Sequence, residues 1–374
     1  MSKVTVIIVL LIVVSLAAAG AYYFVVMNAD AGKDTGYDTK DEYDHDPIIL
    51  SEGDLSIHFL ELGNGSTGDS IFIKYGDVDI LIDAGSTGAS AATISKYIKD
   101  YVIDGKLEYV IATHADTDHI AAFVGTSTVR GVLDSFEVGT IIDYPLSDKT
   151  TAVRKNYEGK RDGLVANGTE HYTALECYNG VNGAQRVYDL GPGVTMEILY
   201  NYYYENRTGD ENDYSVCLMI VQDGKQYLFT GDLESSGESK LVDHYEAERG
   251  GLGHCVLFKG GHHGSVTSST DKLLDEITPD YVVVCAVAGS AQYTSNPLNQ
   301  FPTQAFINRM APHTTEVYVT SYMSGGKPGP LNGNVVFLVS GEDGSVEIMC
   351  SGTDKVLKDT DWFKASRTAP AAWK

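Results

Sequence analysis

The stretch that decides the fold is the hexapeptide His114-Ala115-Asp116-Thr117-Asp118-His119, which directly follows an apolar, β-rich run at residues 107–113. It places two imidazoles and two carboxylates at the end of a predicted strand, where an open α/β sheet displays its functional groups. Imidazole and carboxylate together suit zinc, or manganese where carboxylates dominate. The hexapeptide therefore indicates a metal site.

The spacing within the hexapeptide has two interpretations. His114, Asp116 and Asp118 alternate, so an extended loop would direct them to one side. His119 would then enter the first turn of a helix that continues over residues 120–124. The alternative is a polar helix start, with Asp118 as the N-cap.

Two further apolar runs end in residues of the same kind. Asp232 follows a predicted strand at residues 226–230, and His262-His263 follows one at residues 255–258. Glycine brackets each of these groups. Without a shared site, three unrelated turns would carry ligand-type residues by accident, so the three strand ends together predict one metal centre.

The remaining pattern alternates strands and helices in two halves, each rich in paired strands and covered by helices. Further strands are predicted at residues 55–62, 69–75, 78–82, 194–200, 216–221, 281–286, 316–320, 335–339 and 346–349, and helices at 89–103, 237–245, 270–277 and 302–310. Residues 144–185 show no clear periodicity, and we expect an insertion near the mouth of the site. Its only histidine, His171, is expected to be structural or exposed.

Composition limits the classes of function. With 43% hydrophobic residues and 39 glycines in 374 residues, the chain is globular and rich in turns. Its net charge of −24 repels phosphate backbones, which argues against tight nucleic-acid binding but not against hydrolysis of a phosphoester at a metal. The five cysteines lack metal-type spacing, so buried thiols are expected.

The N-terminus predicts a membrane anchor followed by a tether. Residues 4–27 form an apolar run without charge, long enough to span a bilayer, and Lys3 precedes it. A cleaved signal peptide is the alternative, but the apolar run continues well past the small residues at 17–19. We expect an uncleaved anchor at 1–27, an acidic linker at 28–53, a domain at 54–352 and a tail at 353–374. The positive N-terminus favours an extracellular domain.

Seven short motifs in order resemble the metallo-β-lactamase superfamily, and more narrowly the hydrolase domain of the ComEC/Rec2 competence proteins. They are Gly68-Asp69-Ser70, Leu81-Ile82-Asp83-Ala84-Gly85, the hexapeptide, Asn212-x-x-Ser215, Thr230-Gly231-Asp232-Leu233-Glu234, His262-His263-Gly264-Ser265 and Pro279-Asp280-Tyr281. The resemblance covers roughly residues 55–350. It implies an α/β fold, a metallo-β-lactamase-like αββα sandwich, here behind an N-terminal transmembrane helix.

The resemblance also implies a ligand set. The implied ligands are His114, Asp116, Asp118, His119, Asp232, His262 and His263. Asp118 and His119 would hold one divalent ion with one of the adjacent histidines, of which His263 is favoured by analogy. Asp232 would join this ion and bridge to a second one on His114 and Asp116. Zinc is favoured and manganese is the alternative.

Other residues would support these ligands. By the same resemblance, Asp83 orients the ligand loop, and Asp69, Ser215 and Ser265 lie around the site. Asp116 or Asp118 would accept the proton of the attacking water.

The chain also departs from the family pattern. Residues 120–122 are Ile-Ala-Ala where paired glycines are common, and Asn296-Pro297 stands where His-Pro is usual. No histidine supplies the ligand that dinuclear members place before Asp232, so one or two metal ions remain open. The channel-forming part of ComEC is absent, and DNA import by this chain alone is not expected.

These observations predict a membrane-anchored, extracellular metal-dependent hydrolase that favours phosphodiesters. A binding or scaffold domain without turnover is the alternative. The expected partners are a small or cell-wall phosphoester and, through residues 4–27, the membrane. The acidity of the chain disfavours nucleic-acid binding. The residues that come closest to a basic cluster are Arg154-Lys155 and Lys160-Arg161.

Overall fold

The computed structural model describes residues 47–374. The predicted membrane segment at 4–27 and most of the acidic linker lie outside the described residues. Within residues 47–374, no helix is both long and apolar enough to cross a membrane.

The described part of the chain contains strands β1 to β16, arranged in two mixed sheets. In chain order they are β1 Leu55–Phe59, β2 Ile71–Tyr75, β3 Val78–Ile82, β4 Lys106–Ala112, β5 Glu137–Asp143, β6 Glu170–Thr173, β7 Val187–Gly191, β8 Val194–Leu199, β9 Cys217–Gln222, β10 Lys225–Phe229, β11 Leu257–Lys259, β12 Tyr281–Ala288, β13 Glu316–Ser324, β14 Lys327–Pro330, β15 Val335–Val339 and β16 Val346–Cys350. The first sheet has the order β16-β15-β1-β2-β3-β4-β5-β6, and the second β14-β13-β12-β11-β10-β9-β8-β7.

Helices α1 to α9 connect and cover the strands. They are α1 Ser90–Ile98, α2 Thr117–Val124, α3 Val132–Ser135, α4 Ala152–Val165, α5 Ala174–Asn179, α6 Ser235–Arg249, α7 Asp271–Ile277, α8 Gln304–Met310 and α9 Asp361–Ser366. The strand and helix positions predicted in both halves are confirmed to within a few residues, apart from α1, which is shorter than predicted.

Alternation along the strands explains the layering, because successive side chains of a strand point to opposite faces. In β9, Leu218 and Ile220 join one apolar cluster, whereas Cys217 and Met219 join the other. The first cluster fills the space between the sheets, where the rings of Phe59 and Phe229 stack 6.4 Å apart.

The second cluster lies between the second sheet and helices α6 to α9. Helix α1 covers the outer face of the first sheet, where the hydroxyl of Tyr97 lies 2.8 Å from Nδ1 of His58 on β1. The order of layers is therefore helix, sheet, sheet, helix.

The sequence pattern did not predict strands β5, β7 and β14 or helix α3, and it predicted three further regions incompletely. Helix α1 ends at Ile98 rather than residue 103, because the chain continues in tight turns that leave Ile103 82% exposed. The insertion contains β5's neighbour β6 and helices α4 and α5. The tail is not free, since Trp362, Phe363 and Trp373 are buried in the second cluster.

The five cysteines are free thiols, and four of them are buried, as the spacing predicted.

The sheet topology brings the three predicted strand ends together. Strands β3 and β4 run parallel in the first sheet, as do β10, β11 and β12 in the second. A hydrogen bond from the backbone N–H of Val216 to the carbonyl oxygen of Thr113 joins the two sheets beside the hexapeptide at 2.8 Å. The loops after β4, β10 and β11 consequently meet at one edge of the sandwich.

Candidate metal centre

The hexapeptide changes from strand to helix within a few residues. Strand β4 ends at Ala112, and α2 begins at Thr117 with Asp116 as N-cap. The Asp116 side chain makes no capping hydrogen bond, which leaves its carboxylate available to the site. Asp118 lies in the first helical turn, so its interpretation as the N-cap is wrong.

His119 lies between two buried carboxylates. Its Nδ1 is 2.7 Å from Oδ2 of Asp83, and its Nε2 is 3.1 Å from Oδ2 of Asp232. Asp83 is fixed in turn by the backbone N–H and the hydroxyl of Thr113, which donate to its two oxygens at 2.8 and 2.7 Å. Burial opposes protonation, but Asp232 and Asp83 outweigh it and raise the pKa of His119 well above its usual value.

His263 shows a similar arrangement on the second sheet. Its Nδ1 donates to the carbonyl oxygen of Cys285 at 2.9 Å and lies 3.1 Å from Oδ1 of Asp69. Its Nε2 lies 3.2 Å from Oδ2 of Asp232 and 3.6 Å from Oδ2 of Asp118. A proton on Nδ1 leaves the lone pair of Nε2 for a metal, the usual state of a ligating histidine.

His262 lies beside this cluster rather than within it. Its Nδ1 is 3.1 Å from Oγ1 of Thr267 and 3.4 Å from Oε1 of Glu234, while its Nε2 is 3.8 Å from Asp232. Both His262 and His263 have positive φ angles, 45° and 54°, so the turn itself sets their different directions. The geometry favours His263 as the ligand of this pair.

A buried lysine that the sequence reasoning missed joins two of the carboxylates. Lys259 ends β11, and its Nζ lies 2.5 Å from Oδ2 of Asp69 and 3.3 Å from Oδ1 of Asp232. It also donates to the carbonyl oxygen of Gly231 at 3.0 Å. Lys259 therefore fixes Asp232 so that the other carboxylate oxygen, Oδ2, faces the histidines.

The opposite side of the site contains His114 and Asp116. Nδ1 of His114 faces the hydroxyls of Thr113 and Ser215 at 3.1 and 3.4 Å, and its Nε2 is 3.7 Å from Oδ2 of Asp116. Oδ1 of Asp116 pairs with Nζ of Lys149 at 2.5 Å. Burial and the neighbouring His119 hold the pKa of His114 well below its usual value, in contrast to His119 and His263.

The two predicted supporting serines differ in position. The hydroxyl of Ser215 accepts the backbone N–H of Asp232 at 3.0 Å and so lies directly behind a predicted ligand. Ser265 bonds to Thr267, which in turn contacts His262, so it lies one residue further from the cluster.

Tyr293 is a second residue that the sequence reasoning missed. Its hydroxyl donates to Oδ2 of Asp118 at 2.5 Å from a loop between β12 and α8. The Tyr293 ring lies 5.5 Å from that of Phe301, which is itself 5.8 Å from the ring of His263. This loop therefore forms one wall of the site.

The donor atoms fit a divalent metal. Asp118, His119 and His263 offer ligand atoms within 4.8 Å of one another, and so do His119 and Asp232 with His114. The Nε2 atoms of His114 and His263 are buried and make no hydrogen bond. Buried polar groups are nearly always paired, so two unpaired imidazole nitrogens facing carboxylates are expected where a metal binds.

Comparison with known proteins agrees with this geometry. The family model described as the metallo-beta-lactamase superfamily matches residues 63–126, a range that includes the hexapeptide. The chain has the metallo-β-lactamase fold. This fold indicates a metal-dependent hydrolase and implies a divalent metal.

Its homologues include two proteins of the ComEC/Rec2 family. Competence protein ComA of Neisseria gonorrhoeae is 24% identical over 267 residues, which cover 71% of this chain and 31% of that protein. Recombination protein 2 of Haemophilus influenzae is 28% identical over 239 residues, which cover 63% of this chain and 24% of that protein. The chain thus spans a third or less of the length of these relatives, and the resemblance found in the sequence is confirmed.

Two solved structures align with this metallo-β-lactamase fold at low similarity. The metallo-beta-lactamase fold protein YhfI from Bacillus subtilis has a TM-score of 0.39 and 12% identity, with 74% of this chain and 99% of that chain covered. CmlA, a diiron beta-hydroxylase from Streptomyces venezuelae, has a TM-score of 0.36 and 12% identity, with 70% of this chain and 48% of that chain covered.

Proposed function

We propose that the chain is a membrane-anchored, extracellular metal-dependent phosphodiesterase that acts on small or cell-wall phosphoesters. The observation that carries this proposal is the cluster of Asp118, His119 and His263. Nδ1 of His119 bonds to Asp83 and Nδ1 of His263 to the Cys285 carbonyl, and both histidines direct Nε2 towards Asp232. A scaffold that had lost turnover would have no need to keep the ligands and their supporting groups together.

The residues that would hold the ion are Asp118, His119, His263 and Asp232. Two imidazoles with two carboxylates favour zinc, and manganese is the alternative. A divalent ion at this position supplies Lewis-acid activation of water and neutralises charge on a phosphoester. The chain itself supplies orientation: Asp83 and Thr113 set the ring of His119, and the Cys285 carbonyl sets that of His263.

Of the two predicted catalytic carboxylates, Asp116 is better suited to accept a proton from water. Its side chain is 25% exposed, and burial raises its pKa although Lys149 opposes the shift. Burial would likewise raise the pKa of Asp118, but the hydrogen bond with His263 and the charge of His119 outweigh it and hold that pKa below its usual value. Asp118 therefore acts as a ligand, and Asp116 as the base.

The charge around the insertion supports a small substrate. Four of its five basic residues form ion pairs: Lys149 with Asp116 at 2.5 Å, Arg154 with Glu158 at 2.8 Å, Arg161 with Asp143 at 2.7 Å, and Lys160 with Asp134. Little positive charge remains there for a nucleic-acid backbone, which needs several lysine or arginine contacts. The names of the two relatives refer to competence and recombination, so DNA is the substrate against which this preference must be tested.

The test compares the full chain with Asp232→Ala, using Asp275→Ala as a control because that carboxylate is exposed. We expect the parent and the control to hold zinc and to cleave a bis-aryl phosphodiester, and Asp232→Ala to lose both properties. A parent without metal, or with metal and no turnover of any phosphoester, would support the scaffold alternative. Efficient DNA cleavage at physiological salt, lost when Arg154, Lys155, Lys160 and Arg161 are neutralised, would make the insertion a nucleic-acid clamp.

The location needs its own experiment. The proposed anchor is the apolar segment at residues 4–27, with the domain outside the cell. Protease added to intact cells should then remove the domain. Full protection until the cells are lysed would reverse the orientation.

A further inference from the structure

We propose that Lys149 occupies the place of a second metal ion on the His114 and Asp116 side and binds a phosphoryl oxygen of the substrate. Its Nζ lies 2.5 Å from Oδ1 of Asp116, and its side chain is 34% exposed. The ammonium group therefore contacts a predicted ligand while still reaching solvent. The phosphoryl part of this proposal rests on the proposed function, whereas the metal part does not.

The loop that carries Lys149 is held in place by several hydrogen bonds. Arg154 donates to the carbonyl oxygen of Lys149 at 2.6 Å, and the backbone N–H of Lys149 donates to the Ser147 hydroxyl at 3.1 Å. Arg154 itself lies on α4 and is fixed by Glu158. Lys149 thus extends from an anchored loop.

A single buried carboxylate connects this loop to the hexapeptide. One oxygen of Glu211 accepts the backbone N–H of Asp148 at 3.0 Å, and the other accepts that of Ala115 at 3.3 Å. Lys149 and Asp116 are the residues that follow these two N–H groups in the chain. Glu211 therefore sets the spacing between the ammonium and the carboxylate.

The surroundings of Asp116 are poorly suited to a second metal ion. Among residues 47–374, none of the compact groups of metal-binding side chains includes Asp116. The group that contains His114 shares His119 and Asp232 with residues of the first site. A second ion would therefore have to share these residues and draw on Asp116, whose carboxylate is paired with the Lys149 ammonium instead.

A lysine at this position would suit a phosphodiester. Such a substrate carries one negative charge, and a Lys side chain binds phosphate as a point charge through its three N–H donors. The acidic side chains of the site would repel that charge, so a cation at its mouth offsets the repulsion. Lys149 would then determine specificity by favouring an anionic substrate over a neutral ester.

The test uses the full chain in detergent with the variants Lys149→Met and Lys149→Arg. Lys272→Met is the matched control, because Lys272 forms an ion pair of the same length, 2.5 Å, with Asp243 on the surface. Zinc is added to metal-free protein by calorimetric titration, and inorganic phosphate is then titrated into the zinc-loaded protein. Neither measurement requires turnover.

We expect one tightly bound zinc in the parent, the control and Lys149→Arg. Lys149→Met should accept a second zinc, because Asp116 is released, and at limiting zinc it should bind phosphate about tenfold more weakly. Two tightly bound zinc ions in the parent would overturn the proposal, as would a Lys149→Met protein with parental stoichiometry and phosphate affinity. If Lys149→Met binds a second zinc but the parent cleaves no phosphodiester, Lys149 still occupies the second metal position, and its role in binding the substrate is lost. The failure of this proposal can therefore be distinguished from the failure of the proposed function.

Discussion

The two sides of the candidate centre are built differently. On the side of His119 and His263, each ring is fixed at Nδ1 by Asp83 or by the carbonyl of Cys285. On the side of His114, Nδ1 faces only hydroxyls, and Asp116 is paired with Lys149. Ligands that are oriented before the metal arrives bind it more tightly. The difference predicts one tight metal position on the side of His119 and His263, which we call the strong side. The ammonium group of Lys149 occupies the other side.

The largest effect is expected at Lys259, which lies behind the strong side. Lys259→Met leaves Asp69 and Asp232 as buried carboxylates without their cation, and breaking such a buried pair costs about 3–5 kcal/mol of unfolding free energy. Denaturant unfolding of the metal-free proteins would measure this loss. Saturating zinc should recover part of it, because a bound cation also neutralises Asp232. Equal unfolding free energies of variant and parent would show that Lys259 does not stabilise the buried carboxylates Asp69 and Asp232.

Asp83→Asn tests the orientation of His119. An amide cannot replace the carboxylate that accepts both the imidazole N–H and the Thr113 hydroxyl, so we expect zinc affinity to fall about 10–100-fold. Competition with a chromogenic chelator measures this change. Asp143→Asn is the control, because Asp143 is a buried carboxylate that contacts His171 at 2.9 Å outside the site. A loss of affinity in the control alone would contradict the account.

A histidine remote from the site shows what burial does without a carboxylate partner. His58 bonds to the hydroxyls of Ser56 and Tyr97, and burial, with a smaller effect of Lys74, lowers its pKa to about 3. Since this value lies below the unfolded value of 6.5, only the unfolded state takes up this proton as the pH falls below 6.5. The contribution of His58 to stability is therefore full above pH 6.5 and declines by up to about 1.4 kcal/mol per pH unit towards pH 3.

The measurement for His58 compares the parent with His58→Gln by denaturant unfolding at pH 7.5 and pH 5. The advantage of the parent over the variant should shrink by about 2 kcal/mol at the lower pH. A constant difference would mean that His58 takes up its proton equally in the folded and unfolded states.

The smallest effect is expected for Tyr293→Phe. This change removes the hydrogen bond to Asp118 and keeps the ring against Phe301, so it should cost about 1 kcal/mol of ligand orientation. Zinc affinity should fall a few-fold without loss of stoichiometry, as chelator competition would show. An unchanged zinc affinity would show that Tyr293 does not help to orient Asp118 for the metal.

Much of this arrangement could be predicted from the sequence. The apolar runs before Asp232 and before His262-His263 mark strand ends, and parallel strands bring such ends to one edge. Lys259 was missed because it falls between the predicted strand, which ends at Phe258, and the histidine motif that begins at Gly260. It is nevertheless the single charged residue between Cys255 and Gly260. Tyr293 and Lys149 lie in loops without a periodic pattern, so only the tertiary structure places them at the site.

The secondary structure of the insertion at residues 144–185 could not be predicted for a related reason. Of the residues in α4, only Tyr157 is fully buried, so the helix has little apolar periodicity. Its start is nevertheless marked by Thr151, whose hydroxyl accepts the backbone N–H of Arg154 at 3.3 Å. The capping residue Thr151 was thus the available signal for the start of α4. The acidic and basic side chains that follow it lack the apolar pattern by which a helix is recognised.

The most direct test of the asymmetric centre compares the zinc content of His263→Ala and His114→Ala by elemental analysis, at equal protein concentration and after removal of loosely bound metal. The account predicts that His263→Ala loses its zinc and that His114→Ala retains close to the parental content. Equal loss in the two variants, or loss in His114→Ala alone, would contradict it.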